Sequence, residues 1–132
     1  MDRDTDRSAA RLAPDLGAAV SRKLSGLGAW ALQRATAIYI GLFGLAFLGV
    51  MLISPPQDYT QWRDWFADPL IGIATLVFIV SVLLHAWVGI RDVLIDYIKP
   101  LWLRVSLLAL LALGLLTWGL WASQALILVR LV

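Results

Sequence analysis

No cysteine occurs among the 132 residues. Disulfides, thiolate metal sites, cysteine-ligated iron–sulfur clusters and thiol catalysis are therefore excluded within this chain. Charge is sparse too: Asp, Glu, Lys and Arg make up 15% of the residues, against 61% hydrophobic ones. A soluble domain is nearer a quarter charged and about half apolar. The net charge of +2 is too small to point to nucleic acid as a partner. A nucleotide-binding glycine motif, a paired acid and base, and an internal repeat are all missing. Histidine occurs once, as His85, and methionine twice, as Met1 and Met51.

What is present is a set of long uncharged stretches. No acid or base lies between Arg34 and Asp58 (residues 35–57), between Asp68 and Arg91 (69–90), or between Arg104 and Arg130 (105–129). A bilayer core about 30 Å thick takes roughly 20 helical residues to cross. Backbone amides in lipid must be satisfied within their own segment, so each stretch predicts a helix. Transmembrane strands would be about half as long and would alternate. A soluble bundle would need a polar face on each helix, and segments such as 38–53 and 107–118 have none. The fold class expected is an all-α membrane protein with three transmembrane helices, spanning about 33–54, 69–91 and 103–129. A polar segment, residues 1–28, precedes the three-helix domain of 29–132.

The basic residues give the orientation. Arg3, Arg7, Arg11, Arg22, Lys23, Arg34, Arg91, Lys99 and Arg104 fall on one side, and Arg63 and Arg130 on the other. The positive-inside rule puts the N-terminus and the second loop inside. Trp62, Trp65, Trp118 and Trp121 lie near outer ends, and Trp30, Trp87 and Trp102 near inner ends. Most of them read as belt anchors at the headgroup level. Residues 1–28 do not read as a signal peptide, since the apolar run comes late and acids mix with bases. Pro14 with Gly17, Gly26 and Gly28 weakens any long helix there. Pro55, Pro56 and Asp68-Pro69 read as a turn and a helix start, and Pro100 parts the second span from the third.

His85 lies six residues before Arg91, about 9 Å along a helix, within the inner half of the second span. An ionisable side chain at that depth is a functional candidate, and imidazole is an axial ligand for haem iron. Gly89 and Ser81, four residues to either side, keep that face small and leave space for a flat macrocycle. Taken alone, the residue better suits a histidine hydrogen-bonded to a neighbouring helix; the residues around it reverse that reading.

Around it stand His85-Ala86-Trp87-Val88-Gly89, then Val93-Leu94-Ile95-Asp96-Tyr97-Ile98-Lys99-Pro100, then Leu103-Arg104. This run resembles the small hydrophobic anchor subunits of succinate dehydrogenase, with their His-Ala-Trp-x-Gly, Asp-Tyr-x-Lys-Pro and following Arg. Arg34-Ala35-Thr36-Ala37 at the start of the first span matches a further motif of that family. The resemblance covers about residue 33 to the end, and its specific part is 84–104. Arg91 and Asp92 depart from the neutral residues expected between the motifs. They mark either the true helix end or a contact with extrinsic subunits.

The resemblance implies roles. His85 would be one axial ligand of haem b, Arg34 would lie near the haem propionates, and Tyr97 would donate to a ubiquinone carbonyl with Asp96 beside it. A phenol can donate to a quinone oxygen, and a guanidinium offers a carboxylate a permanent forked partner. Without the family pattern, Tyr97 reads as a belt residue, Asp96 as a cap or a partner of Lys99, and Arg34 as a snorkelling cation. A bis-histidine haem needs two imidazoles and the chain has one. The second ligand must then come from another polypeptide or be a different residue type; Met51 sits near the outer end of its span, far from the level of His85, which points to a haem shared across a subunit interface. The resemblance names that partner as the larger cytochrome b anchor subunit, with an iron–sulfur subunit and a flavoprotein on the inner side. The chain would not oxidise succinate alone; it would anchor the enzyme and pass electrons from iron–sulfur clusters to quinone. A bacterial inner membrane is expected. The competing readings are a fumarate reductase-type or haem-free anchor, in which His85 is structural, and a non-redox membrane assembly protein.

Overall fold

The computed structural model describes the backbone of residues 3–131 and the side chains of residues 26–131. Every regular element among them is an α-helix: α1 Arg3–Ile53, α2 Tyr59–Ala67, α3 Pro69–Tyr97 and α4 Leu101–Leu131. Three stretches are long and apolar enough to cross a membrane, namely Gly26–Ile53, Pro69–Tyr97 and Leu101–Leu131. The all-α architecture read from the charge-free stretches is thus the one observed. The chain divides into two compact units, Met1–Leu32 and Gln33–Val132.

In the first unit the backbone is helical from Arg3 and runs through Pro14, where a weakened helix was expected. A proline removes one backbone bond and crowds one carbonyl, a local cost. Ala9, Ala10, Ala13, Ala18 and Ala19 surround it, and alanine is the strongest helix former.

In the second unit the helices overrun the bilayer. The 29 residues of α3 rise about 44 Å against a hydrocarbon core of about 30 Å. Arg91 and Asp92 therefore do not end the helix, as one reading of them had it; α3 continues to Tyr97. Arg91 folds back on its neighbour, with Nε 3.0 Å and a terminal nitrogen 2.8 Å from Asp92 Oδ1. The stop comes where Ile98 is extended (φ −92°, ψ 105°), and Pro100 disfavours helical geometry in Lys99, the next residue, so the helix does not resume before it. The start is equally local. Asp68 Oδ1 accepts from the amides of Leu70 and Ile71, and Pro69 fills the first helical position.

The loop between the first and second spans holds an element that the sequence reading did not foresee. Asp58 caps α2 by accepting from the Gln61 amide at 2.8 Å. Trp62, Trp65 and Phe66 of α2 then form an aromatic cluster with Phe47 of α1, with centroid separations of 4.9 to 6.5 Å. Trp62 and Trp65 are half-buried and fasten α2 to α1, beyond any belt role.

Among the described side chains very little is buried within the chain itself. Val88 (3% exposed) is the buried hydrophobic residue, joined by Thr36, Ser81, Gly72 and Gly119. Helices in lipid gain nothing from hiding leucine, so small residues that let backbones approach mark the contacts. Gly119 of α4 faces Leu83 of α3, whose Cδ1 stands 2.7 Å from where a Cβ would be. Gly72 gives its space to the guanidinium of Arg130, which donates to the Pro69 carbonyl at 3.2 Å. On the other side of α3, Tyr39 of α1 donates to Ala74 O at 2.9 Å, and Phe43 stacks on Phe78. Leucines 110, 113, 116 and 120, with Trp118 and Trp121, stay exposed along α4, a surface suited to lipid.

Candidate functional site

One face of α3 carries Ser81, His85 and Val88 at helical spacing, and it packs on the part of α1 that begins at Gln33. There three polar atoms form a triangle. His85 Nδ1 lies 3.2 Å from Thr36 Oγ1 and 3.3 Å from Gln33 O, and Thr36 Oγ1 donates to Gln33 O at 3.1 Å. His85 is half-buried and Thr36 is 6% exposed.

The triangle assigns the tautomer. A carbonyl can only accept, so a bare Nδ1 would set two acceptors facing each other across the 3.3 Å edge. A buried group left without its bond costs about 1–3 kcal/mol. With the proton on Nδ1, both donors have partners, and the lone pair lies on Nε2. An imidazole so held has the donor chemistry of a metal ligand, with its ring orientation set by the other nitrogen.

Gly89 serves a different purpose from the one expected. The amide Nε2 of Gln33 stands 3.3 Å from where a Cβ on Gly89 would be. The missing side chain leaves room for the Gln33 amide of α1 on this face. Trp87 turns elsewhere, into an apolar groove with Leu83 and Leu84 and with Ala112, Leu115 and Leu116 of α4.

Arg34 follows Gln33 directly, so its backbone joins the carbonyl that His85 contacts, and its side chain is exposed. The structure thus brings Arg34 and His85 to one level. Tyr97 and Asp96 sit in the last turn of α3, twelve and eleven residues on, about 18 Å and 16 Å from His85 along the axis. Tyr97 is 79% exposed and Asp96 is exposed. Among the described residues Asp96 forms no ion pair with Lys99; the pairs there are Arg63–Asp64 and Arg91–Asp92. The four residues form two groups: His85 with Arg34 at one level, and Tyr97 with Asp96 at the C-terminal end of α3.

Gln33 and Thr36 were not singled out as site residues from the sequence. Their signal was present: two polar residues three apart, at the inner end of an apolar span, share one helix face.

A model of the family described as succinate dehydrogenase/fumarate reductase transmembrane subunit matches residues 7–121. The chain is also similar to a succinate dehydrogenase hydrophobic membrane anchor subunit of Coxiella burnetii. The two are 34% identical over 101 residues, which cover 76% of this chain and 88% of the relative.

Proposed function

Since the chain belongs to the family of succinate dehydrogenase/fumarate reductase transmembrane subunits as a membrane anchor, we propose that it supplies one axial ligand of a haem b and part of a ubiquinone-reduction site. The supporting observation is the His85 triangle, in which Nδ1 is committed to α1 and the Nε2 lone pair is left for iron. The donor set fits the group: a neutral imidazole, half-buried, at a depth where water competes little. Arg34, on the same level, would pair with a propionate from the inner end of α1. A bound haem supplies a one-electron store beside the quinone site.

The rest belongs to this chain's own side chains and its partners. Tyr97 would donate its phenolic proton in a hydrogen bond to a quinone carbonyl, and Asp96 would face the inner aqueous phase from which protons reach the reduced quinone. Electrons would come from an iron–sulfur subunit fed by a flavoprotein that oxidises succinate, docked on the inner side. With one histidine in this chain, a second protein ligand to the haem would come from the larger cytochrome b anchor subunit. Nine basic residues on the side of the N-terminus and second loop support placing that side in the cytoplasm, and the proposed membrane is the inner membrane of a bacterium.

A second reading rests on the same triangle. His85 bridging α1 and α3 would also suit a haem-free anchor of the fumarate reductase type, where the ring is only an interhelical tie. A reduced-minus-oxidised spectrum of the complex purified with its partners separates the two. A b-type band lost or altered in His85→Ala supports ligation; a band unchanged by the substitution assigns the iron to ligands other than His85, and no band in the wild type supports the haem-free reading.

A further inference from the structure

The mechanism above uses His85 but gives no task to the buried hydroxyl against it. Thr36 is 6% exposed in the middle of an α1–α3 contact. A helical threonine usually turns its hydroxyl back onto a carbonyl of its own helix, here Gln33 O at 3.1 Å. That bond has a directional consequence. The hydroxyl proton is spent on Gln33 O, so the oxygen meets His85 Nδ1, 3.2 Å away, with a lone pair. Gln33 O, at 3.3 Å, presents a second acceptor to the same Nδ1–H. Two acceptors on different turns of one helix restrict both the protonation and the rotation of the ring, more than a single carbonyl would.

We propose that Thr36 is a positioning residue for His85: its hydroxyl accepts from Nδ1–H, holds the imidazole in the Nε2-ligating tautomer and raises its basicity towards iron. This inference rests on the reading of His85 as an axial ligand. An acceptor on the far nitrogen makes an imidazole a stronger donor and favours the ferric state. Removing the acceptor weakens the ligand and shifts the midpoint potential upward. A conservative change that keeps the hydroxyl leaves it in place.

The test uses the assembled complex with Thr36→Val, Thr36→Ser and His85→Ala beside the wild type. Haem content is read from reduced-minus-oxidised spectra, the midpoint from a redox titration, and the ligand-ring orientation from the electron paramagnetic resonance of the oxidised haem. The expected result is a positive midpoint shift with changed resonance positions in Thr36→Val, and wild-type values in Thr36→Ser. Haem lost from the valine variant but kept by the serine variant supports the same role. A valine variant that keeps its haem with an unchanged midpoint and resonance overturns it. So do equal changes in both variants, which would assign the effect to the threonine methyl. His85→Ala keeps the two failures apart: a b-type band indifferent to that change removes the ligand reading itself, whereas a band that depends on His85 but not on Thr36 removes only the positioning role.

Discussion

Thr36 on α1 and His85 on α3 meet through Oγ1 and Nδ1 at 3.2 Å, although 49 residues of sequence separate them. The pair ties the first and second spans together at the level where the only imidazole of the chain stands.

Tyr97 provides a direct check of the quinone site. Tyr97→Phe removes one hydroxyl from an exposed ring and should leave the fold intact. One hydrogen bond is worth about 0.5–1.5 kcal/mol, so quinone reduction should fall by up to about tenfold. Succinate oxidation with an artificial acceptor should be unchanged, and equal rates of quinone reduction in the two proteins would refute the assignment.

Gly119 and Leu83 should behave as a coupled pair. A Cβ at 119 meets Leu83 Cδ1 at 2.7 Å, and overpacking of this kind costs about 1–3 kcal/mol. Gly119→Val should lower the thermal midpoint of the complex. Adding Leu83→Ala should recover part of the loss, because the new side chain then has room. A double variant as unstable as the two single losses combined would contradict the contact.

Gly72 and Arg130 make a second coupled pair near the N-terminal end of α3. Gly72→Ala would displace the guanidinium from the Pro69 carbonyl. The side chain is flexible, so the cost is one hydrogen bond, about 1 kcal/mol. Arg130→Gln should cost a similar amount. The double variant should be no less stable than either single one in a thermal melt, since both remove the same bond.

Topology can be read by labelling, because the native chain has no cysteine to interfere. Gln57 and Lys99 are both exposed and lie in opposite loops. In whole cells Gln57→Cys should react with an impermeant thiol reagent reaching the periplasm, and Lys99→Cys only after permeabilisation. The reverse pattern would invert the orientation drawn from the basic residues.

Residue patterns announced some of these features and concealed others. Asp68-Pro69 announced the start of α3 because its cap and first turn are made by neighbours in sequence. α2 escaped notice although Asp58 precedes Gln61 by three, with Trp62, Trp65 and Phe66 on one face. Its short apolar pattern makes sense only once Phe47 of α1 stands opposite. Arg91 was open to reading as a helix end because a charge marks the edge of the hydrocarbon. Backbone hydrogen bonding does not stop at that edge, and α3 continues to Tyr97.

By itself the sequence determined how many times the chain crosses the membrane, since charges in lipid are costly and three stretches avoid them. It also settled that this chain offers a single imidazole, so any second one must come from outside it. Which way that imidazole turns was decided only by tertiary structure. The rotation of one apolar helix against another is set by small residues and polar contacts far apart in sequence. Gly89 opposite Gln33, and Thr36 opposite His85, become neighbours only when α1 and α3 pack.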